Sequence, residues 1–255
     1  MKYYFNYEIQ PQDVDCNRKL RLYTLENYLI NTAGSIAGTL GFGLPQLLPY
    51  GYTWVITHLY LEILKMPTHG DQLKIETWIE QNAHMLSTRN FKLYCNDELI
   101  GQAKSIWAVI DIQKRNIVNV FDLPMFINSV DGEILPIKRA QRFANLEEYD
   151  GAQPHTITYS DVDYNNHCNS CKYLEIMLDT ERPTWLNEGI RLDITYVKEL
   201  YFEEVMNTLW KYNEDEIVYQ QKKQRKYHLL QRKNFQNRKT KLLKSFLTWS
   251  TLQHK

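Results

Sequence analysis

The sequence predicts an α+β protein made of two tandem copies of one unit, each a long helix wrapped by an antiparallel sheet. Three observations predict it. Asp13-Val14-Asp15-Cys16-Asn17 and Asp161-Val162-Asp163-Tyr164-Asn165 differ at one position only and lie 148 residues apart. Ala103-Lys-Ser-Ile-Trp107 parallels Ser245-Phe-Leu-Thr-Trp249 at an offset of 142. Each Asp-rich block also leads into an apolar helical pattern and then into β-rich runs. Repeats of this length are copies of a domain, not solenoid units, and 255 residues are ample for two cores. The expected boundaries are 1–120 for the first unit, 121–152 for a linker and 153–255 for the second.

In the first unit Leu22, Leu25, Leu29, Ala33, Ile36 and Leu40 step by three or four, the spacing of one helix face. A Gly/Pro-punctuated stretch, 41–51, ends that helix. Runs at 53–64, 72–81, 87–94 and 99–112 are rich in β-branched and aromatic residues and read as strands, with Asn96-Asp97 turning between the last two. Residues 121–152 hold two prolines, charge and little periodicity. In the second unit Asn169 or Ser170 can cap a helix whose apolar positions are Cys171, Leu174, Met177 and Leu178. Strands are expected at 191–198, 205–212, 216–221, 227–235 and 242–252, with turns at Asn213-Glu-Asp and Asn237-Arg.

Composition narrows the function classes. A formal net charge of zero argues against a dedicated nucleic-acid binder. The start, MKYYFNYEIQPQ, has no apolar h-region, and no run of about 18 apolar residues occurs, so neither a signal peptide nor a membrane span is expected. Four cysteines make no disulfide framework in a chain of this size, which fits a cytoplasmic protein. Cys168 and Cys171 form a single C-x-x-C without a second pair, and helix packing explains them better than zinc or redox chemistry.

Asp163, Asn165 and His167 stand at i, i+2 and i+4. In an extended segment that spacing turns a carboxylate, an amide and an imidazole to one side, a set able to polarise a carbonyl and move a proton. The following helix would put its positive dipole end beside the imidazole and favour its neutral form. The first copy has Lys19 where the second has His167.

These residues carry a family resemblance. The tandem helix-and-sheet units resemble the hot-dog fold, and two in one chain resemble the acyl-acyl-carrier-protein (acyl-ACP) thioesterases. That family's D-x-D-x-N-x-H-x-N-N-x-K/R-Y signature is matched by Asp161, Asp163, Asn165, His167, Asn169, Lys172 and Tyr173, with Ser170 replacing the second Asn of its pair. Trp54-Val-Ile, Gly70-Asp71, Glu76-Thr-Trp78, Ser87-Thr-Arg89-Asn-Phe91 and Ile100-Gly101 also look similar. The resemblance implies a further functional residue, a Glu on the strand after the second helix, and Tyr196-Val-Lys-Glu199 fits it; aligning the halves puts Pro67 near its place in the first copy. Some members carry a Cys after this Glu, but here it is Leu200, so a thiol nucleophile at that position is ruled out.

The resemblance implies hydrolysis of an acyl-ACP thioester by activated water, without metal or organic cofactor. Glu199 and Asp163 are the candidate bases, with His167 and Asn165 at the carbonyl. The first unit would take the acyl chain in space left by Gly34, Gly38, Gly41 and Gly43, unless these glycines only allow close packing. Ten Lys/Arg between Lys222 and Lys244, with no acidic residue among them, offer a surface for the acidic carrier protein. No nucleic acid or membrane partner is implied, and a homodimer is compatible. An acyl-CoA thioesterase, a hot-dog dehydratase and a non-enzymatic acyl-binding protein are the alternatives.

Overall fold

The computed structural model describes residues 1–125, 130–137, 145–180, 189–213 and 216–223, and the backbone of 243–246. The chain forms two compact units, Met1–Lys138 and Arg139–Lys255.

The first unit runs β1 (Tyr3–Glu8), α1 (Leu22–Thr39), a one-turn α2 (Leu44–Leu47), β2 (Tyr52–Ile63), β3 (Gln72–Asn82), β4 (Ser87–Cys95), β5 (Glu98–Asp111) and β6 (Ile117–Val118). Its sheet has the order β1-β3-β4-β5-β2, with β6 also on β5, and neighbouring strands are antiparallel throughout. The helix buries the residues its periodicity marks: Leu22, Leu25 and Leu29 are at most 1% exposed, and each buried leucine contributes about 1.5–3 kcal/mol. Asn96 and Asp97 both take positive φ, 48° and 68°, the geometry of a tight hairpin whose twist matches its strands.

The glycines of the 34–43 stretch serve different ends. A Cβ on Gly43 would stand 2.6 Å from the backbone of Gly38, so Gly43 is there for close packing, whereas at Gly34 and Gly38 a Cβ would meet open space.

Part of 121–152, expected as a linker, packs on the first unit. Val130 bridges Ile79, and the Trp78 indole donates to the Glu133 carbonyl at 2.9 Å. Leu135 and Ile137 are buried with Tyr60, Trp78 and Ile106. Beneath them the Lys104–Glu80 pair, at 2.8 Å, is 7% and 10% exposed, and Asn90 donates to both Glu80 and the Glu133 carbonyl. These bonds give the buried Lys104 ammonium, the Glu80 carboxylate and the Asn90 amide N–H₂ their partners, which offsets the cost of burying them.

The second unit runs β7 (Gly151–Thr156), α3 (Ser170–Leu178), β8 (Ile190–Thr195), β9 (Val205–Tyr212), β10 (Ile217–Lys223) and β11 (Leu243–Phe246). Strands β10, β9 and β7 pair antiparallel in that order, and β11 lies parallel to β10. Strands β1, β6 and β7 are additions to the expected set. Gly151 and Pro154 disguise β7, but among the described residues it pairs along one side only, with β9, and such an edge tolerates proline. The expected strand at 227–235, and Trp249, lie outside the described residues.

The two units repeat in hydrogen-bond detail. Gly70 N donates to the Ile9 carbonyl at 3.0 Å, and Glu203 N to the Ile157 carbonyl at 2.9 Å. Both residues are left-handed, with φ of 87° and 66°. Only glycine takes that conformation freely; for another residue it costs roughly 1–2 kcal/mol. Glu203→Gly is therefore expected to stabilise the protein by about 1 kcal/mol, less what glycine's freedom returns to the unfolded chain. Urea unfolding followed by circular dichroism measures it, and a lower midpoint would refute the strain.

Candidate active site

Asp163, Asn165 and His167 are brought together by a turn, not by an extended strand. Asp163 N donates to the His167 carbonyl at 2.8 Å and Asn166 N to the Asp163 carbonyl at 2.9 Å. The Asp163 carboxylate Oδ1 accepts from the backbone N–H of Asn165 at 2.9 Å and of His167 at 3.4 Å. Asn166 sits at φ 62°, which breaks the alternation that an extended reading of the spacing relied on. An acidic side chain bonding backbone two residues on is the Asx-turn geometry that Asp favours.

The first unit makes the same turn. Asp15 N donates to the Lys19 carbonyl, Asp15 Oδ1 accepts from Asn17 N at 2.8 Å and Lys19 N at 3.0 Å, and Arg18 has φ 61°. The sequence repeat thus marks a structural device present in both units. Asp163 performs it just as Asp15 does in a unit that has no histidine in the turn.

Beyond the turn, Asn169 caps α3: its Oδ1 accepts from Cys171 N at 2.9 Å. A second segment runs alongside. Cys168 N donates to the Leu200 carbonyl at 2.7 Å, and His167 bridges Tyr201. Glu199 belongs to this segment and lies past the end of β8 at Thr195, not on the strand expected to carry it. The chain has left the β-ladder there to pair with the turn.

This pairing brings the His167 Nδ1 to 3.4 Å from Glu199 Oε1, with the two side chains 19% and 30% exposed. The Tyr201 ring meets the imidazole edge-on, centroids 4.9 Å apart at 89°. Asp163 is half-buried and Asn165 exposed on the same turn. The matching bonds in the first unit, Leu20 N to the Pro67 carbonyl and Lys19 bridging Thr68, place Pro67 opposite Leu200. Met66, buried at 4%, therefore occupies the place of Glu199, one residue from where the sequence alignment put it.

Tyr173, on α3, accepts at its hydroxyl from Leu200 N at 3.0 Å and so fixes the residue after Glu199. Neither Tyr173 nor Tyr201 carried an assigned role in the sequence reading; the aromatic at 173 was visible only as part of the signature. Burial pushes the Tyr173 phenol well above its ordinary range. Burial, aided by the nearby Asp161 charge, also pushes the Cys168 thiol up to about 12. All four cysteines are free thiols. Among the described residues no three His, Cys, Asp or Glu side chains are grouped to hold a metal ion.

Comparison with known proteins identifies the architecture. Models of the acyl-ACP thioesterase N-terminal and C-terminal domains match residues 1–123 and 145–243. A chloroplastic palmitoyl-acyl carrier protein thioesterase of Arabidopsis thaliana is 24% identical over 224 residues, covering 80% of this chain and 53% of that protein. The oleoyl-acyl carrier protein thioesterase of Coriandrum sativum is 24% identical over 220 residues, with 78% and 57% covered. The chain spans about half the length of the curated relatives it matches. Among solved structures, an acyl-ACP thioesterase from Bacteroides thetaiotaomicron superposes with a TM-score of 0.77 at 29% identity, covering 87% of this chain and 92% of its own. The 12:0-ACP thioesterase of Umbellularia californica shares the fold, with a TM-score of 0.67 at 19% identity over 83% and 88% of the two chains. The chain belongs to the acyl-ACP thioesterase family and is built from two tandem hot-dog units.

Proposed function

We propose that this protein hydrolyses the thioester of fatty acyl-ACP, releasing a free fatty acid and ending chain elongation. The observation that carries the reading is the His167–Glu199 contact at 3.4 Å beside the cap of α3. With Glu199 facing Nδ1, a proton held there leaves the Nε2 lone pair to act as base. His167 takes a proton from water as the water oxygen attacks the thioester carbonyl carbon. The oxyanion so formed accepts a hydrogen bond from the Asn165 amide, which stands exposed on the turn. Collapse breaks the carbon–sulfur bond, and the leaving thiolate of the carrier's pantetheine arm takes the proton back from His167. The contact is longer than an ordinary hydrogen bond, as is common before substrate binds.

Asp163 holds the turn in this scheme, and proton transfer falls to His167 and Glu199. The acyl chain is assigned to the first unit, supported by the open space at Gly34 and Gly38. The carrier protein is the proposed partner; the basic stretch 222–244, assigned to docking it, lies almost wholly outside the described residues. Free thiols at all four cysteines support a reducing, cytoplasmic location.

Hydrolysis of a panel of acyl-ACP and acyl-CoA thioesters at equal concentration tests the reading. Preference for the carrier-bound form is expected; preference for CoA moves the substrate assignment, and no turnover removes the activity. His167→Ala is expected to lower kcat/KM by roughly 10²-fold or more, and Glu199→Gln to lower it in the same direction, while Lys19→Ala leaves it nearly unchanged. Equal losses at Lys19 and His167 would place the chemistry elsewhere.

A water nucleophile also requires an inert Cys168. With thiols pushed up to about 12 at Cys168 and about 11 at Cys95 by burial, almost no thiolate exists at pH 8. Iodoacetamide at that pH is expected to label exposed Cys16 in the folded protein and to reach Cys168 and Cys95 only after denaturation. Rapid native labelling of Cys168, read by peptide mass spectrometry, would argue for a thiol nucleophile.

A further inference from the structure

Within the second unit, a histidine pairs with a carboxylate at a place the reaction above does not use. His155, on β7, stands with its Nε2 2.8 Å from Asp161 Oδ2. The same oxygen accepts from Thr158 N and from Thr158 Oγ1, both at 2.8 Å. Asp161 is 5% exposed. Burial opposes its charge, but the hydrogen bonds from His155 and Thr158 outweigh it and hold the carboxyl below the usual range.

Asp161 also closes the loop that carries His167. Its carbonyl accepts from Asn169 N at 2.8 Å, and the next residue, Val162, bridges Cys168. The side chain of Asp161 therefore ties the start of the loop, and its main chain ties the end. Everything from Asp163 to His167 hangs between those two anchors.

The first unit holds the equivalent carboxylate differently. Asp13 Oδ2 accepts from Gln10 N at 2.8 Å and from the Tyr28 hydroxyl of α1 at 2.8 Å, and the Asp13 carbonyl accepts from Arg21 N at 2.9 Å. At the repeat offset of 148, Tyr28 corresponds to Ile176 and Tyr7 to His155. Ile176 is buried and has no donor to offer. Tyr7 does not reach the acid; it stacks on Tyr28, centroids 4.1 Å apart, and its hydroxyl meets Thr32 at 3.0 Å. The first unit thus anchors the loop to its helix through a phenol, whereas the second anchors it to its edge strand through an imidazole. Donor and position have exchanged together, so the carboxylate keeps a side-chain partner in both.

The geometry points to His155 as a positioning residue for the catalytic turn: by bonding Asp161 it fixes the loop on which His167 stands at its reach from Glu199. The inference rests on the proposed hydrolysis for its kinetic readout only. Without His155, Asp161 would keep Thr158 alone while remaining nearly buried, an arrangement that costs free energy unless the loop shifts. A shift of about 1 Å can cost on the order of 10²-fold in rate, and the His167–Glu199 contact is already long.

His155→Phe removes the donor and keeps a ring. It is expected to lower kcat about tenfold or more while KM stays within about twofold, because substrate contacts are untouched. The double variant His155→Phe/Ile176→Tyr rebuilds the arrangement of Tyr7 and Tyr28 and is expected to recover most of the loss. His155→Gln, which retains an N–H donor, is expected to fall between. Thermal melts of each variant separate misfolding from misplacement. The side-chain ¹⁵N–¹H spectrum of His167 supplies a readout independent of activity: its resonances should move in His155→Phe and return in the double variant. Unshifted His167 resonances with unchanged kcat in His155→Phe would overturn the assignment. So would a kcat loss that the folded double variant fails to recover. If the wild type hydrolyses no thioester, the proposed function fails while the His167 spectra still decide this inference.

Discussion

One carboxylate accepting backbone N–H donors across a five-residue turn is the constraint on which the site depends. Asp163 makes these bonds in the second unit and Asp15 in the first. The turn forces Asn166 and Arg18 into the left-handed region, a conformation that a short polar closing bond can stabilise. Once closed, it presents the residue at its end to the segment running alongside. In the second unit that segment brings Glu199 and Tyr201; in the first, Met66 and Thr68 stand at the same register. The frame is common to both units, which differ in the side chains placed on it: His167, Glu199 and Tyr201 in the second, Lys19, Met66 and Thr68 in the first. Lys19 thus stands where His167 does, beside a buried methionine and a threonine in place of Glu199 and Tyr201. The first unit keeps the scaffold and lacks the reactive set.

Much of this was legible in the sequence, and for reasons that differ by element. The strands of the first unit could be read because they are long runs enriched in β-branched and aromatic residues, as in β3 and β5. The helix α1 declared itself by a regular step of buried leucines. Strand β7 did not, because glycine and proline on an edge strand look like a loop until the pairing partner is known. The repeated pattern marks Asp163, Asn165 and His167, but their geometry differs from the extended one that their spacing predicts. Spacing of two along a chain means a shared face only in extended backbone, and one left-handed residue between Asn165 and His167 cancels the rule. The pairing of His167 with Glu199 was beyond any local pattern, since 32 residues separate them and a ladder between turn and neighbouring segment joins them. The offset of Glu199 against Pro67 shows the same limit from the other side. A sequence register carried through a strand that ends early slips by one residue, and hydrogen bonds restore it.

The way the site is held also explains why a long contact can serve. His167 and Glu199 meet at 3.4 Å, while the bond that sets their segments, Cys168 N to the Leu200 carbonyl, is 2.7 Å. Position is thus fixed by main chain, independently of the length of the side-chain contact. The tie at Leu200 is doubled by the Tyr173 hydroxyl from α3, and the turn is tied again to the cap of that helix through Asp161 and Asn169. Burial rises outward from the reacting groups into these supports: His167 and Glu199 remain partly open to water, whereas Tyr173, Cys168 and Asp161 do not. That gradient suits hydrolysis. Water must reach the base, but the groups that orient the base must not exchange their bonds with water. The same gradient removes Cys168 from the chemistry, because the environment that fixes the turn also holds its thiol protonated. A thiol one residue from the histidine is therefore part of the support, which agrees with the proposed water nucleophile.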